Sequence, residues 1–247
     1  SECTSLNKTP DSSGLGAEGA KQAEAEKSVA PEGWTIQTVD DPGDVGAYNS
    51  IAVTPAGKVH ISYHDNSGCK WRDLKYATNQ SGSWQIHRLD WYGYLGRNTS
   101  IALDPNGSAH IAYIDNRFYD LLYITNATEG GGWQQFRFDT FSPCEDTSIA
   151  VDPNGKVHIS YKGMEWMYPY AISLRYATSA AESEGWRNYS LDAGVDIRNT
   201  SIAVGSGNTV HIAYDWMEWS SSEVRYASNA SGYWQVSTVG SSGVYDP

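Results

Sequence analysis

The chain is short of positive charge. Its 247 residues carry 17 Lys and Arg against 29 Asp and Glu, a formal net charge of −12. Nucleic acid and anionic lipid surfaces both need a cationic footprint, so neither is expected as a partner. Long apolar runs are missing as well, and no segment reaches the ~18 residues of a membrane span. Cysteine is sparse: the three thiols, Cys3, Cys69 and Cys144, form no C-x-x-C pair, which excludes a zinc cluster. No metal and no cofactor are expected. An odd cysteine count means that in an oxidising compartment one pair closes and the third thiol bonds another subunit, whereas in cytosol all three stay reduced. No signal peptide is visible, as in a mature, processed chain.

Residues 1–32 contain no aromatic residue and consist mainly of Ser, Thr, Gly, Ala, Lys and Glu. They read as a low-complexity N-terminal arm, with a short helix over Ala17 to Ala30 if it docks.

What is present in quantity is a repeat. The phrase SIAVTPAGKVHISY begins at Ser50, SIALDPNGSAHIAY at Ser100, SIAVDPNGKVHISY at Ser148 and SIAVGSGNTVHIAY at Ser201. Each is followed by an L/V-x-Y segment and then by a Trp-led strand. Period-2 alternation, Pro-Asn-Gly turns and a recurrence every 48 to 53 residues specify four-stranded blades. The expected fold is all-β: a four-bladed β-propeller over residues 33–247, with blades at approximately 50–90, 100–139, 148–192 and 201–240. Trp34, Trp84, Trp133, Trp186 and Trp234 give five last strands for four sets of the other three. The surplus strand, 34–40, is expected to add as a fifth strand, displace the C-terminal one or pair with a neighbouring molecule.

In such a blade, the loops between the second and third strands and those between blades emerge on one face. That face carries Trp71, Phe118, Tyr119, Trp166, Met167, Tyr168, Tyr170, Trp216 and Trp219, with Tyr48, Trp91, Tyr92 and Tyr94. The other face is mostly Pro-Asn-Gly turns, so the aromatic face is the candidate binding surface. Three residues before the repeated Ser stand Ala47, Arg97, Glu145 and Arg198. Arg97 and Arg198 either hold an anion by their guanidinium forks or pair with Glu145 and Asp146 to staple the blades. The Met-Glu-Trp loops at Trp166 and Trp219 either stack on sugar rings, form an apolar protein contact or fold over one another. His60, His110, His158 and His211, one per blade at a fixed strand position, are expected to make a repeating structural hydrogen bond rather than a metal ring. His64 and His87 have no assigned role. Eight N-x-S/T sequons, at Asn7, Asn79, Asn98, Asn106, Asn126, Asn188, Asn199 and Asn229, are glycosylation candidates, although Asn also crowds turns for conformational reasons.

The phrase SIAVDPNGKVHISY followed by LRYAT and a Trp-led strand resembles propeller repeats of secreted or surface-anchored prokaryotic proteins, over residues 33 to 240. It is also loosely similar to the Asp-box propellers of sialidases and lectins, although the Asp-box itself is absent. The resemblance implies the fold and an extracellular or cell-surface location.

Three functions follow as expectations. The first is a non-catalytic extracellular module for adhesion or self-assembly, with residues 1–40 mediating self-association into filaments and with a glycan or cell-surface protein as a further partner. The second is a glycan-binding lectin using the aromatic loops. The third is a glycoside hydrolase drawing on Glu145, Asp146, Glu165 and Glu218.

Overall fold

The computed structural model describes residues 33–41, 43–67, 72–91, 94–138, 144–165, 171–180, 185–219 and 221–242. The chain divides into a unit over residues 1–39 and a second over residues 40–247. In the first, residues 34–39 carry no strand, so the expected surplus strand is not formed.

The second unit is a four-bladed β-propeller fold. Blade 1 is β1 (Val45–Val53), β2 (Val59–Asp65), β3 (Asp73–Thr78) and β4 (Gln85–Asp90). Blade 2 is β5 (Arg97–Leu103), β6 (Ala109–Asp115), β7 (Asp120–Thr125) and β8 (Gln134–Phe138). Blade 3 is β9 (Cys144–Val151), β10 (Val157–Glu165), β11 (Ala171–Thr178) and β12 (Arg187–Gly194). Blade 4 is β13 (Asp196–Val204), β14 (Val210–Glu218), β15 (Ser221–Ser228) and β16 (Gln235–Ser242). Within each blade the strands pair antiparallel in sequence order.

The repeated residues explain the blade from within. In the β1–β2, β5–β6 and β9–β10 turns, Thr54 Oγ1, Asp104 Oδ1 and Asp152 Oδ1 accept the amides of Lys58, Ser108 and Lys156 at 2.8 to 3.0 Å. The turn glycines Gly57, Gly107 and Gly155 take the left-handed φ of 75 to 83° that a side chain would resist. Asn79, Asn126 and Asn229 each present Oδ1, at 2.7 Å, to the first amide of the second strand in their blade. Ser179 does the same in blade 3. Three of the sequons therefore owe their Asn to strand geometry. Each repeated His bonds through Nδ1 to the Tyr of the third strand: His60 to Tyr76, His110 to Tyr123, His158 to Tyr176 and His211 to Tyr226, at 2.5 to 2.6 Å.

The same residues join blade to blade. The amides of Ile101, Ile149 and Ile202 donate at 3.2 Å to the Oγ of Ser50, Ser100 and Ser148 in the blade before. Trp133, Trp186 and Trp234 pack on Tyr76, Tyr123 and Tyr176 of the preceding blade, with ring centroids 4.9 to 5.1 Å apart. The core consists of three clusters, one at each of these joints.

Candidate active site

The mouth of the propeller is shaped by a bulge that recurs in each first strand. Two residues before the repeated Ser the backbone turns left-handed, at Tyr48, Asn98, Asp146 and Asn199, with φ of 48 to 52°. Asn and Asp tolerate that conformation through local hydrogen bonds. A Tyr does not, and the geometry costs about 1 to 2 kcal/mol there. The pairing registers then set which side chains meet across the first two strands: Ala47 with His64, Arg97 with Ile114, Glu145 with Lys162 and Arg198 with Asp215.

That register separates the two arginines of the candidate site. Arg198 is held by Asp196 at 2.5 Å. Glu145 pairs with Lys162 at 3.2 Å, and Lys162 also reaches Asp196 at 2.8 Å. The expected staple of Glu145 and Asp146 onto the arginines is thus replaced by a Lys162-centred pair, because Lys162 is Glu145's cross-strand partner. Asp146 instead accepts the Asn199 amide, and burial pushes its carboxyl up. Arg97 faces an isoleucine, and among the described residues it has no ion pair.

Arg97 belongs to a cluster at the joint of blades 1 and 2. Its guanidinium lies over the Tyr48 ring at 5.7 Å, and Tyr48 meets His64 edge-on at 5.9 Å. A second guanidinium, Arg72, lies 5.1 Å from the Tyr94 ring and also has no ion pair among the described residues. The loop over residues 94–96 draws these groups together. The Leu95 amide donates to the Arg72 carbonyl at 3.1 Å, and the Leu95 carbonyl accepts from His64 Nδ1 at 2.6 Å. Gly96, at φ 80°, lies so close to β3 that a Cβ there would be 3.0 Å from the Asp73 carbonyl.

Because Nδ1 donates to a carbonyl, the neutral His64 ring keeps its lone pair on Nε2. Burial holds the His64 pKa below the ordinary histidine value, and Arg72 and Arg97 push it the same way against the opposing effects of the Leu95 carbonyl and Asp65. The result is a neutral imidazole beside a Tyr ring and two cations that have no ion pair among the described residues, which is equipment suited to abstracting a proton next to an anionic group.

The other candidates are dispersed. Trp91 is exposed just after β4, 5.9 Å from the Arg88 guanidinium. Trp219 is 92% exposed. Trp216 is no ligand platform: it is buried, donates Nε1–H to the Ala193 carbonyl at 2.9 Å and has Arg225 on its face at 3.5 Å. Cys144 is buried in the core between blades 2 and 3. Cys3, Asn7, Cys69, Trp71, Tyr92, Trp166 and Tyr168 lie outside the described residues, as does the arm over residues 1–32. Asn98 and Asn199 sit at the bulge, Asn106 in an exposed turn and Asn188 on the exposed side of β12. The sequence reading missed His64 and Arg72. The signal was there for His64, which holds the position of Lys162 and Asp215 after the second-strand Tyr but has no charged residue across from it.

No protein-family profile and no curated protein matches the chain. Solved structures do share its fold. A Dyadobacter fermentans protein of unknown function gives a TM-score of 0.56 at 10% identity, over 81% of this chain and 70% of that one. An ulvan lyase of polysaccharide lyase family PL25 gives 0.56 at 10% identity, over 79% of this chain and 56% of that chain. The same values hold for a PL25 ulvan lyase bound to -[GlcA(1-4)Rha3S]-. The chain thus spans little more than half the length of these lyases. At this identity the likeness is one of fold. The expectation of a non-catalytic adhesion or assembly module without enzymatic activity is corrected by this finding, because the solved structures that share the fold include polysaccharide lyases. No helix among the described residues is long and apolar enough to cross a membrane.

Proposed function

We propose that the protein is a glycan-processing enzyme that takes acidic, uronate-bearing polysaccharides and cleaves them by β-elimination at the joint of blades 1 and 2. One observation carries this reading. Arg72 and Arg97, in a chain of net charge −12, flank a neutral imidazole and have no carboxylate partner among the described residues.

A uronate carboxylate held by a guanidinium fork is neutralised, which acidifies the adjacent C5–H. His64 Nε2 takes that proton. The electron pair forms the C4=C5 double bond as the C4–O bond breaks, and the leaving oxygen takes the Tyr48 hydroxyl proton. Exposed Tyr94 and Trp91 are suited to stack on the flanking sugars. The fold shared with ulvan lyases supports this assignment, and the ligand of one of them is itself acidic. A hydrolase would need two carboxylates at liberty ~5 to 9 Å apart. Of the four acids considered for that role, Glu145 is engaged by Lys162, Asp146 accepts the Asn199 amide, Glu218 is exposed, and the Glu165 side chain lies outside the described residues. Polymers of this kind lie outside the cell, which agrees with a secreted or surface location.

The test is a panel of uronate-containing and neutral polysaccharides, read by the ultraviolet absorbance of the unsaturated product. Uronate polymers should give product and neutral ones none, and Arg97→Ala or Arg72→Ala should slow the reaction about a hundredfold or more, the scale of losing a preorganised charge partner. Tight binding without product would identify a lectin at this site. Turnover of neutral glycans alone, or unchanged arginine variants, would overturn the assignment.

A further inference from the structure

Blades 1 and 4 each expose half of the joint that the other blades bury. The three joints use the same positions, so equivalent residues can be compared directly. Ile101, Ile149 and Ile202 are 6, 6 and 8% exposed, each covered by the blade before it, whereas Ile51 of blade 1 is 63% exposed. On the opposite side Leu74, Leu121 and Leu174 are fully buried by the blade after them, whereas Val224 of blade 4 is 46% exposed. β1, β5, β9 and β13 pack side by side in that order, and the joint is not repeated between β13 and β1. The four blades carry three core clusters, none of which joins blade 4 to blade 1.

The two open halves fit each other. Blade 1 presents Ile51, Val53 and the Ile51 amide, which by register is oriented as the Ile101 amide that donates to Ser50. Blade 4 presents Val224 and Ser201, the counterpart of Ser50, with its side exposed. Where Asp90 at the end of β4 and Asp192 within β12 accept from the Tyr of the blade after, β16 has Gly240, and blade 1's Tyr63 already has Asp40 as its acceptor at 2.7 Å. The last strand of blade 4 thus has no carboxylate to collide with Asp40 at this junction.

We infer that the leading face of blade 1 binds the trailing face of blade 4 of a second copy of this chain, reproducing the inter-blade joint between molecules. Among the described residues the two faces do not pack within one chain, so the match is made between copies. The contact is head-to-tail, and it closes a ring where the rotation permits. It uses the blade faces, not residues 1–32, and stands apart from the catalytic reading.

Sedimentation velocity over a concentration series of the full chain tests it. The protein should self-associate, and Ile51→Arg and Val224→Arg should each weaken association at least tenfold with unchanged circular dichroism, both sites being solvent-exposed. Val53→Lys and Val224→Ser serve as alternates should a charge at the first sites impair folding. Mixing Ile51→Arg with Val224→Arg should restore a one-to-one complex, because the first variant keeps an intact blade 4 face and the second an intact blade 1 face. A wild-type monomer at all concentrations, variants that associate normally, or a mixture that stays monomeric would each overturn the inference.

Discussion

The Tyr63 hydroxyl donates to Asp40 Oδ2 at 2.7 Å, the bond that Tyr113 makes to Asp90 at 2.9 Å and Tyr214 to Asp192 at 2.5 Å. Asp90 is the last residue of β4 and Asp192 lies within β12, but Asp40 comes from a segment without a strand. Lys75 closes the arrangement, reaching Asp40 at 3.0 Å and Asp65 at 2.8 Å. Asp40→Ala should lower stability by about 1 to 3 kcal/mol, the cost of leaving a buried hydroxyl without its charged acceptor. The urea midpoint of the variant reads this, and an unchanged midpoint would mean that water replaces the carboxylate.

That bond also marks how far the sequence could be read. The Trp-led segment at Trp34 ends in Asp40, which accepts from Tyr63 as Asp90 accepts from Tyr113. The strand expected there is not formed over residues 34–39, although Asp40 still supplies the acceptor. The blades themselves were legible because the repeated Ser, His, Tyr and Trp each make the same contact in successive blades. The candidate site was half legible. Arg97 and Tyr48 stand at counted positions, but Arg72 and His64 join them only through the docking of residues 94–96 on β3, and no local pattern encodes that approach.

The aromatic residues divide by burial rather than by type. Trp186 lies against Phe138 and Tyr123 at 4.5 and 5.1 Å, inside the joint of blades 2 and 3. Trp186→Ala should cost about 3 to 5 kcal/mol, as for large core truncations. Trp219→Ala should stay within about 0.5 kcal/mol, since that side chain is almost wholly in solvent. Thermal melts of the two variants make the comparison, and equal losses would place Trp219 in an ordered contact.

Acid should destabilise the fold well above the carboxylate range. Burial lowers the pKa of His60, His110 and His158 below the unfolded value of about 6.5. Between each folded pKa and 6.5 the unfolded state binds more protons, so stability is complete above that window and falls as pH drops through it. Each histidine adds a slope of up to about 1.4 kcal/mol per pH unit. Denaturation midpoints should be flat from pH 8 to 7 and fall between pH 6.5 and 5. A midpoint that held until the carboxylates titrate would show the imidazoles protonating freely in place.

Gly96 should be the residue on which the candidate site's geometry depends most. A Cβ there would crowd the Asp73 carbonyl and Leu74 Cα, and φ of 80° is unfavourable for any other residue. Gly96→Ala should displace Leu95 and with it the carbonyl that orients His64, reducing turnover of an acidic polysaccharide far more than it reduces stability. A variant with full activity would show that the loop absorbs the methyl group elsewhere.

The charge of Arg97 should be readable at His64. Burial, Arg72 and Arg97 all hold that imidazole in its neutral form, so removing one cation must raise its pKa. Arg97→Met keeps the apolar stem over Tyr48 while deleting the charge. The imidazole resonance of His64, followed by NMR without substrate, should therefore titrate at higher pH in the variant than in the wild type. If His64 is the base that takes the C5 proton, the acid limb of the pH–rate profile must move upward with it, because only the unprotonated ring works. The two shifts separate the roles of the residues. A resonance that moves while the acid limb stays would leave Arg97 as a neighbour of His64 but would assign the base to another group. A resonance that does not move would mean that the guanidinium is turned away into solvent and screened there.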